Sequence, residues 1–157
     1  MIAFVRERHE FCLAAACYPE KHTEAADAAS DLDHLKRKVD AGADFLITQL
    51  FFNNTDYLSF VERARNAGID KPILAGIMPI TNVSQIKRFT AMCGARIPAE
   101  LLARLESAGD DADKVRAIGV DHAILQCRDL LDRGAPGIHF YTLNRSPATK
   151  RILEALR

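Results

Sequence analysis

The stretch Phe11-Cys-Leu-Ala-Ala-Ala-Cys-Tyr-Pro-Glu-Lys-His22 indicates the fold class, because its run of small apolar residues ends abruptly in aromatic, acidic, basic and imidazole groups. Parallel sheets place ligand sites at the carboxyl ends of their strands, so a buried strand can deliver such groups to a site. Residues 12–17 are therefore predicted as a strand, and the polar residues that follow it are a candidate site.

Three later segments have the same design. The strands predicted at 45–51, 73–77 and 137–142 are apolar, and they end near Gln49, Met78-Pro79 and Asn144-Arg145. Because parallel strands bring their carboxyl ends to one edge of a sheet, the four strand ends predict one shared active face.

Helices are predicted between the strands. Apolar residues recur there at helical spacing, and residues typical of helix boundaries flank them. The first of these helices would start at Ser30 or Thr23 and end at Gly42, and the second would start at Asn53-Asn54-Thr55 and end at Gly68. Later helices would start at Asn82 or Ser84, after Pro98, after the acidic stretch 110–113 (ending at Gly134) and at about Pro147. The strands read as continuous apolar runs. This alternation predicts an α/β fold with a parallel sheet buried on both faces.

Both a small doubly wound sheet and part of a (β/α)8 barrel fit this order. A whole barrel takes about 250 residues, so four βα units would form half of one. The chain length indicates a single domain spanning 1–157. The opening helix at 2–8 begins without a capping residue, as it would if the chain started inside a helix, and a truncated domain is therefore one expectation.

Charge and composition argue against several classes of function. The 21 Lys and Arg balance 21 Asp and Glu, so no overall field attracts nucleic acid or an anionic membrane. No apolar stretch approaches the roughly 20 residues of a membrane span, and the charged start is unlike a signal peptide. The cysteines Cys12, Cys17, Cys93 and Cys127 lack metal or disulfide spacing, so we expect reduced, packed thiols in a cytoplasmic protein.

The first strand end offers Tyr18, Glu20 and His22 as a hydroxyl, a carboxylate and an imidazole. A ligand site and an ordinary turn that caps the next helix are equally good interpretations of this pattern. No second His, Cys or acidic residue stands at ligand spacing from His22, so no metal site is predicted.

Gln49 stands inside the second apolar segment, where an unpaired carboxamide would cost about 1–3 kcal/mol. It therefore needs partners, either across the sheet or on the edge of a heterocyclic ligand that both donates and accepts hydrogen bonds.

Two helices carry further candidates. Asp31 and Lys38 lie two turns apart on one side of a helix, which is either a solvated face or a pair that meets a ribose hydroxyl and a phosphate. Phe89 belongs to the core by its helical spacing from Ile86, but an aromatic ring near a strand end can also stack on a flat ligand.

The last strand end carries Tyr141, Asn144 and Arg145. An arginine there can clamp a carboxylate or phosphate, or pair with a neighbouring helix. The sequence contains no GxGxxG, Walker, GxSxG or HExxH motif, which weakens the common nucleotide-binding and hydrolase interpretations.

Four segments, 15–22, 35–52, 76–80 and 139–145, occur in the order and spacing of a known family. Together they resemble bacterial-type methylenetetrahydrofolate reductase, and the resemblance covers nearly all of the chain from about Phe11. It implies a flavin-containing (β/α)8 barrel that takes hydride from NADH or NADPH onto FAD. The hydride then passes to 5,10-methylenetetrahydrofolate, which gives 5-methyltetrahydrofolate in one-carbon and methionine metabolism.

The resemblance also implies roles by position for the FAD-binding residues. Tyr18 and His22 would lie along the flavin, while Asp31 and Lys38 would hold the adenosine and diphosphate end.

On the substrate side, the resemblance implies that Gln49 contacts the pterin and the nicotinamide in turn. Phe89 would stack on either ligand, and Tyr141 and Arg145 would complete the folate side.

The chain also departs from the family pattern. The glutamate thought to act as general acid and the aspartate close to the flavin lie, in the family, on strands that precede this chain's first residue, so no catalytic residue is expected here. The expectation is the C-terminal half of the barrel, strands 5 to 8, from a gene fragment, a misplaced start or a split enzyme. The alternatives are a noncatalytic half-barrel, which forms homo-oligomers or pairs with a first half, and a small flavodoxin-like binding domain.

Overall fold

The computed structural model describes residues 1–157 and contains one four-stranded parallel sheet and seven helices. The strands are β1 (Ala14–Cys17), β2 (Phe45–Thr48), β3 (Ile73–Ile77) and β4 (Ile138–Phe140). The helices are α1 (Ile2–Arg6), α2 (Ala28–Asp40), α3 (Asn54–Asn66), α4 (Val83–Cys93), α5 (Ala99–Ser107), α6 (Ala112–Asp132) and α7 (Pro147–Leu156). The predicted α/β fold with a parallel sheet is confirmed.

The order of the strands separates the two candidate architectures. Hydrogen bonding joins them as β1-β2-β3-β4, so each strand pairs with its neighbours along the chain. A flavodoxin-like sheet reverses its strand order at a switch point, whereas the strands of a (β/α)8 barrel follow one another around the sheet. The sheet is therefore consistent with part of a barrel, and the flavodoxin-like alternative is wrong.

Helix starts follow local capping chemistry. The Asp27 carboxylate accepts a 2.7 Å hydrogen bond from the Ser30 N–H and forms the N-cap of α2, while the Ser30 hydroxyl accepts from the Asp27 N–H. The prediction of Ser30 or Thr23 as the cap is wrong, because Ser30 is the third helical residue of this reciprocal capping box. Asn53 and Asn82 cap α3 and α4.

Three strands are shorter than predicted: β1 begins at Ala14 instead of residue 12, β2 ends at Thr48, and β4 spans only Ile138–Phe140. Gln49 therefore follows β2 instead of lying inside it. The pairing of β2 with β3 stops at this point because the Gly76 N–H donates to the Thr48 hydroxyl at 2.8 Å instead of to a backbone carbonyl oxygen of β2.

One face of the sheet is covered by helices. Leu46, Ile73 and Ile77 are almost fully buried there, and α2, α3, α6 and α7 supply the opposing side chains. This face holds the main hydrophobic core, as the apolar strands predict.

The other face of the sheet is open. Ala14 and Ala16 of β1 are exposed, and Phe45, Ile47 and Leu74, which lie in register beside them, are only half-buried. The prediction of a sheet buried on both faces is wrong, because the helices of the chain pack on the opposite face. β1 and β4 also each have one strand neighbour, so both edges of the sheet are unpaired.

A second hydrophobic cluster lies beyond the carboxyl ends of β2 and β3. Its buried members are Leu50, Phe52, Ile80, Ile86, Leu101, Leu105, Ala108 and Val115. Helix α6 approaches this cluster closely because residue 119 is glycine: a Cβ there would lie 1.9 Å from the Ile80 carbonyl oxygen. The second cluster supports the loops that carry the candidate site.

All four cysteines are free thiols. Cys17 and Cys127 are buried as predicted and Cys93 is half-buried, but Cys12 is exposed, so the prediction of a packed thiol is wrong there. No helix combines the length and the apolar character that crossing a membrane requires.

Candidate functional site

A small cleft, with a cavity volume of about 10 Å³, lies at the carboxyl ends of β1 and β2. Tyr18, Glu20 and Gln49 line it from the strand ends, and Cys93, at the end of α4, and Ala95, in the turn that follows, complete the lining. The structure therefore brings Tyr18 and Gln49 together at one edge of the sheet, as predicted for two of the four strand ends, while Met78, Pro79, Asn144 and Arg145 are not part of the cleft lining.

Tyr18 and His22 form an aromatic pair beside this cleft. Their ring centroids are 4.5 Å apart and the planes meet edge to face at 79°. The His22 Nδ1 accepts a 3.1 Å hydrogen bond from the Glu24 N–H, which fixes the ring. Burial raises the pKa of the Tyr18 hydroxyl, and the Asp31 carboxylate adds to the effect, so Tyr18 stays a neutral donor at ordinary pH.

Asp31 and Lys38 both contact β1 or the loop that follows it. The Asp31 Oδ2 accepts from the His22 N–H at 3.0 Å, and the Lys38 ammonium donates to the Ala16 carbonyl oxygen at 3.0 Å. These bonds hold α2 against the end of β1, whereas the cap of α2 is Asp27 and not Tyr18, Glu20 or His22. The cofactor roles of Asp31 and Lys38 stay predictions. The second carboxylate oxygen of Asp31 and two protons of the Lys38 ammonium group remain free for a ligand.

The side chain of Gln49 has only a local partner. The Gln49 Oε1 accepts from the Leu50 N–H at 2.9 Å. The backbone N–H of Gln49 donates to the Cys17 carbonyl oxygen of β1 at 2.7 Å. No partner across the sheet takes up the half-buried carboxamide, which leaves its NH2 group free to donate to a ligand.

Tyr141 crosses the sheet edge toward β2. Its hydroxyl donates a 2.8 Å hydrogen bond to the Thr48 carbonyl oxygen, immediately before Gln49. The ring needs a glycine beneath it, because a Cβ on Gly76 would lie 2.8 Å from the Tyr141 ring and 2.1 Å from the Thr48 oxygen. Since its proton is already donated, Tyr141 offers a ligand its ring and an accepting oxygen.

Phe89 is half-buried on α4 and packs against the second cluster, which also contains the fully packed Ile86. The core interpretation of its spacing is therefore confirmed. The Arg88 guanidinium lies 5.7 Å from the centroid of the Phe89 ring. Tyr141 packs against the same cluster, so these two predicted substrate contacts share one support.

Arg145 does not line the cleft. Its side chain is exposed and forms no ion pair, so the interpretation as a partner of a neighbouring helix is wrong. The loop that carries it is sharply bent, with positive φ at Leu143 (50°) and Asn144 (60°). Its role as a clamp for an anionic ligand stays a prediction.

Several residues of the site have weak sequence signals. Thr48 and Gly76 are a polar residue and a glycine inside apolar strands, which marks them as candidates for a close contact. Arg96 and Asp56, which surround Glu20, are ordinary surface charges in the sequence, and only the fold brings them to the strand end.

Comparison with known proteins gives a consistent result over the whole chain. Residues 1–157 match the sequence model of the family described as methylenetetrahydrofolate reductase. The chain is 40% identical over 156 residues to 5,10-methylenetetrahydrofolate reductase of Escherichia coli K12, which covers 99% of this chain and 53% of that protein. It is 43% identical over 159 residues to a probable methylenetetrahydrofolate reductase (NADPH) of Caenorhabditis elegans, which covers 99% of this chain and 24% of that protein.

The fold has a counterpart among solved structures. An uncharacterized protein from Clostridium thermocellum that binds two copies of 5-methyl-5,6,7,8-tetrahydrofolic acid superposes with a TM-score of 0.62 at 18% identity, over 98% of this chain and 56% of that one. The chain thus spans about half the length of the bacterial relative and of this structure.

Proposed function

Since the chain belongs to the methylenetetrahydrofolate reductase family, we propose that it contributes to the reduction of 5,10-methylenetetrahydrofolate to 5-methyltetrahydrofolate with NAD(P)H. In this proposal it supplies the folate-contacting wall of the site and part of the FAD-binding surface. The observation that carries the proposal is the unpaired NH2 group of the Gln49 carboxamide, which lines a cleft with Tyr18 at the carboxyl ends of parallel strands.

The folate side consists of residues around this carboxamide. Gln49 can donate from its NH2 group and accept at its oxygen, which suits a pterin or nicotinamide edge. The rings of Phe89 and Tyr141 offer apolar stacking surface, and the exposed Arg145 guanidinium is available to a glutamate carboxylate.

The residues at the end of β1 have the donor set for FAD. Tyr18 and His22 present flat rings, the free oxygen of Asp31 suits a ribose hydroxyl, and Lys38 has two protons left for a diphosphate. When bound, FAD supplies hydride transfer between the nicotinamide and the folate. The protein residues bind and orient it.

We assign the four strands to positions 5 to 8 of a (β/α)8 barrel. The unpaired edges and the open face of the sheet support this assignment, because a complete barrel has neither. The cleft then forms one side of the active site, and the general acid is expected on the other four strands.

Calorimetric titration of the purified chain with 5-methyltetrahydrofolate tests the folate side. We expect binding, and we expect Gln49→Ala to weaken it about tenfold or more, the cost of leaving a ligand polar group unpaired. Asn66→Ala, at an exposed position at the end of α3, is the matched control and should bind as the unsubstituted chain does. Absence of binding, or equal affinity of Gln49→Ala, contradicts the proposal.

Flavin binding is tested separately by adding FAD to the chain and measuring its absorbance after gel filtration. A chain that stays colourless and shows no NADH:menadione turnover would rule out autonomous catalysis. The folate titration would be unaffected by that result.

A second candidate function is assembly without catalysis. The half-exposed apolar residues Phe45, Ile47 and Leu74, together with the unpaired edges of β1 and β4, form a surface that water solvates poorly. We propose that a second four-stranded α/β unit covers it, since the relatives carry about as much chain again. Where that unit is absent, a second copy of this chain is the available substitute.

Light scattering on the purified chain tests this assembly surface. We expect a dimer or larger species, which Ile47→Lys on the open face should shift toward monomer. Leu125→Lys is the control, because Leu125 is 64% exposed on α6 and lies outside this surface. A monodisperse monomer of the unsubstituted chain would rule the assembly out.

A further inference from the structure

Glu20 ties three parts of the chain together beside the cleft. Its Oε1 accepts a 3.1 Å hydrogen bond from the backbone N–H of Arg96, and its Oε2 lies 3.5 Å from the Arg96 Nε. The same guanidinium donates to the Asp56 Oδ1 at 3.2 Å. The turn between α4 and α5 is therefore held both to the end of β1 and to the first turn of α3.

Among the ion-paired carboxylates, Glu20 is the most buried. Its side chain is 11% exposed and that of Asp56 20%, whereas every other ion-paired carboxylate is at least 40% exposed. Its Oε2 is also enclosed without a hydrogen-bond donor. A buried carboxylate loses hydration free energy that an exposed carboxylate keeps. Carboxylates buried at this cost occur often at functional sites.

The contacts of Glu20 with Arg96 and of Arg96 with Asp56, called the Glu20 clamp below, lie next to the proposed substrate contacts. Cys93, the last residue of α4, and Ala95, which precedes Arg96, line the cleft together with Glu20 and Gln49. Both also pack, as Phe89 does, against the second cluster. A displaced turn would therefore shift the carboxyl-terminal end of α4 relative to the strand end that carries the carboxamide.

We propose that Glu20 is a positioning residue of the ligand site: by holding the Arg96 N–H it fixes the end of α4, and with it Phe89, relative to Gln49. This inference rests on the function proposed above, in which Gln49 and Phe89 contact the same ligand.

Three substitutions and two measurements test the clamp. Glu20→Ala removes the acceptor, Glu20→Gln restores an acceptor of the same length, and Glu106→Ala removes a carboxylate that also joins α4 to α5, through Lys87, but at a half-exposed site outside the cleft lining. Amide hydrogen exchange at Arg96 reports on the clamp itself. Calorimetric titration with 5-methyltetrahydrofolate reports on the ligand site.

In Glu20→Ala we expect exchange at Arg96 to accelerate and folate affinity to fall, each by about tenfold or more, as for the loss of one hydrogen bond to a charged acceptor. Glu20→Gln should restore both, and Glu106→Ala should change neither. If Glu20→Ala fails to fold, Glu20→Asp takes its place, because the shorter side chain withdraws the acceptor.

A double-mutant cycle with Phe89→Ala separates positioning from general stability. If Glu20 acts through Phe89, the two substitutions together should weaken folate binding by less than the product of their separate effects. Multiplicative effects, or unchanged Arg96 exchange in Glu20→Ala, would overturn the inference while leaving the proposed function in place. Absence of folate binding by the unsubstituted chain would instead reject the proposed function and the ligand role of Glu20 with it.

Discussion

The hydroxyl of Tyr141 donates a 2.8 Å hydrogen bond to the carbonyl oxygen of Thr48, across 93 residues of sequence. The bond forms where the ladder between β2 and β3 stops, because the Thr48 hydroxyl has taken the Gly76 N–H. It fixes the backbone immediately before Gln49. The last strand of the sheet thus helps to hold the residue that the proposed function places on the ligand.

Removal of this hydroxyl should cost stability and binding together. We expect Tyr141→Phe to lower the free energy of unfolding by about 1 kcal/mol, the usual net value of one hydrogen bond, and to weaken folate binding because the end of β2 loses its restraint. Urea unfolding and calorimetric titration measure the two effects.

Tyr57→Phe is the matched control, since the Tyr57 hydroxyl donates to the Ile73 carbonyl oxygen at 2.7 Å in the main core. It should lose similar stability but keep its folate affinity. Equal loss of affinity in both variants would contradict the special role of Tyr141.

Gly76 should tolerate no side chain. We expect Gly76→Ala to lower the free energy of unfolding by about 2 kcal/mol or more, because its Cβ would meet the Thr48 oxygen at 2.1 Å and overpacking displaces backbone. Gly137→Ala, immediately before β4, is the control: its Cβ would lie 3.2 Å from the flexible Leu74 Cδ2, and we expect a smaller effect. A larger loss in Gly137→Ala would refute the steric account.

The capping box of α2 gives a test of the β1–α2 loop. Asp27→Ala should cost about 1 kcal/mol of stability, the usual value of an N-cap side chain. Asp33→Ala, at an exposed position on the same helix, should cost little. Thermal unfolding of the two variants measures the difference, and equal midpoints would show that the cap contributes nothing.

The stability difference between the unsubstituted chain and Glu20→Gln should depend on pH. Burial raises the pKa of Glu20; the Arg96 N–H counteracts this in part, and the Asp56 carboxylate adds to the rise. A raised folded pKa means that the folded state binds more protons, so the contribution of Glu20 is fully present below the unfolded pKa of about 4.3 and is lost as pH rises through the folded pKa.

We therefore expect the free energy of unfolding of the unsubstituted chain, relative to Glu20→Gln, to fall as pH rises from about 4, the unfolded value for Glu. Urea titrations in steps of pH measure it. A relative stability that rises with pH would mean that the carboxylate is favoured in its ionised form by Arg96, contrary to the direction of the shift.

Thiol reactivity should follow burial. Burial raises the pKa of both Cys17 and Cys127 to about 12, so neither forms a thiolate at neutral pH. We expect alkylation of the folded chain to modify the exposed Cys12 first and the half-buried Cys93 more slowly. Mass spectrometry of peptides after timed labelling would reveal early modification of Cys17 or Cys127, which would contradict the packing of the main core.

Much of the site followed from sequence patterns that act locally. The apolar run before Tyr18 and the similar run before Gln49 place both residues at strand ends, because parallel strands end on one edge. The caps Asn53 and Asn82 were also predictable, since an N-cap satisfies backbone groups two or three residues away. For α2 the sequence offered Ser30 or Thr23, and both were wrong, because the cap is Asp27 and Ser30 completes its capping box.

The remaining features depend on pairs that are distant in sequence. Glu20 and Arg96 are in contact although they are 76 residues apart in sequence, and no pattern near either residue indicates the contact. The open face was missed for a related reason: a continuous apolar strand predicts burial on both sides, but whether a cover exists depends on which elements pack against the sheet.

The sequence by itself determined the α/β class, the parallel sheet, the family resemblance and the strand ends that carry Tyr18 and Gln49. It could do so because periodicity, capping and motif spacing depend on residues that are close together in the sequence. The tertiary structure alone decided the consecutive strand order, the exposed sheet face, the bond from Tyr141 to Thr48 and the clamp at Glu20. Those depend on the packing of elements far apart along the chain, whose register and approach no local pattern specifies.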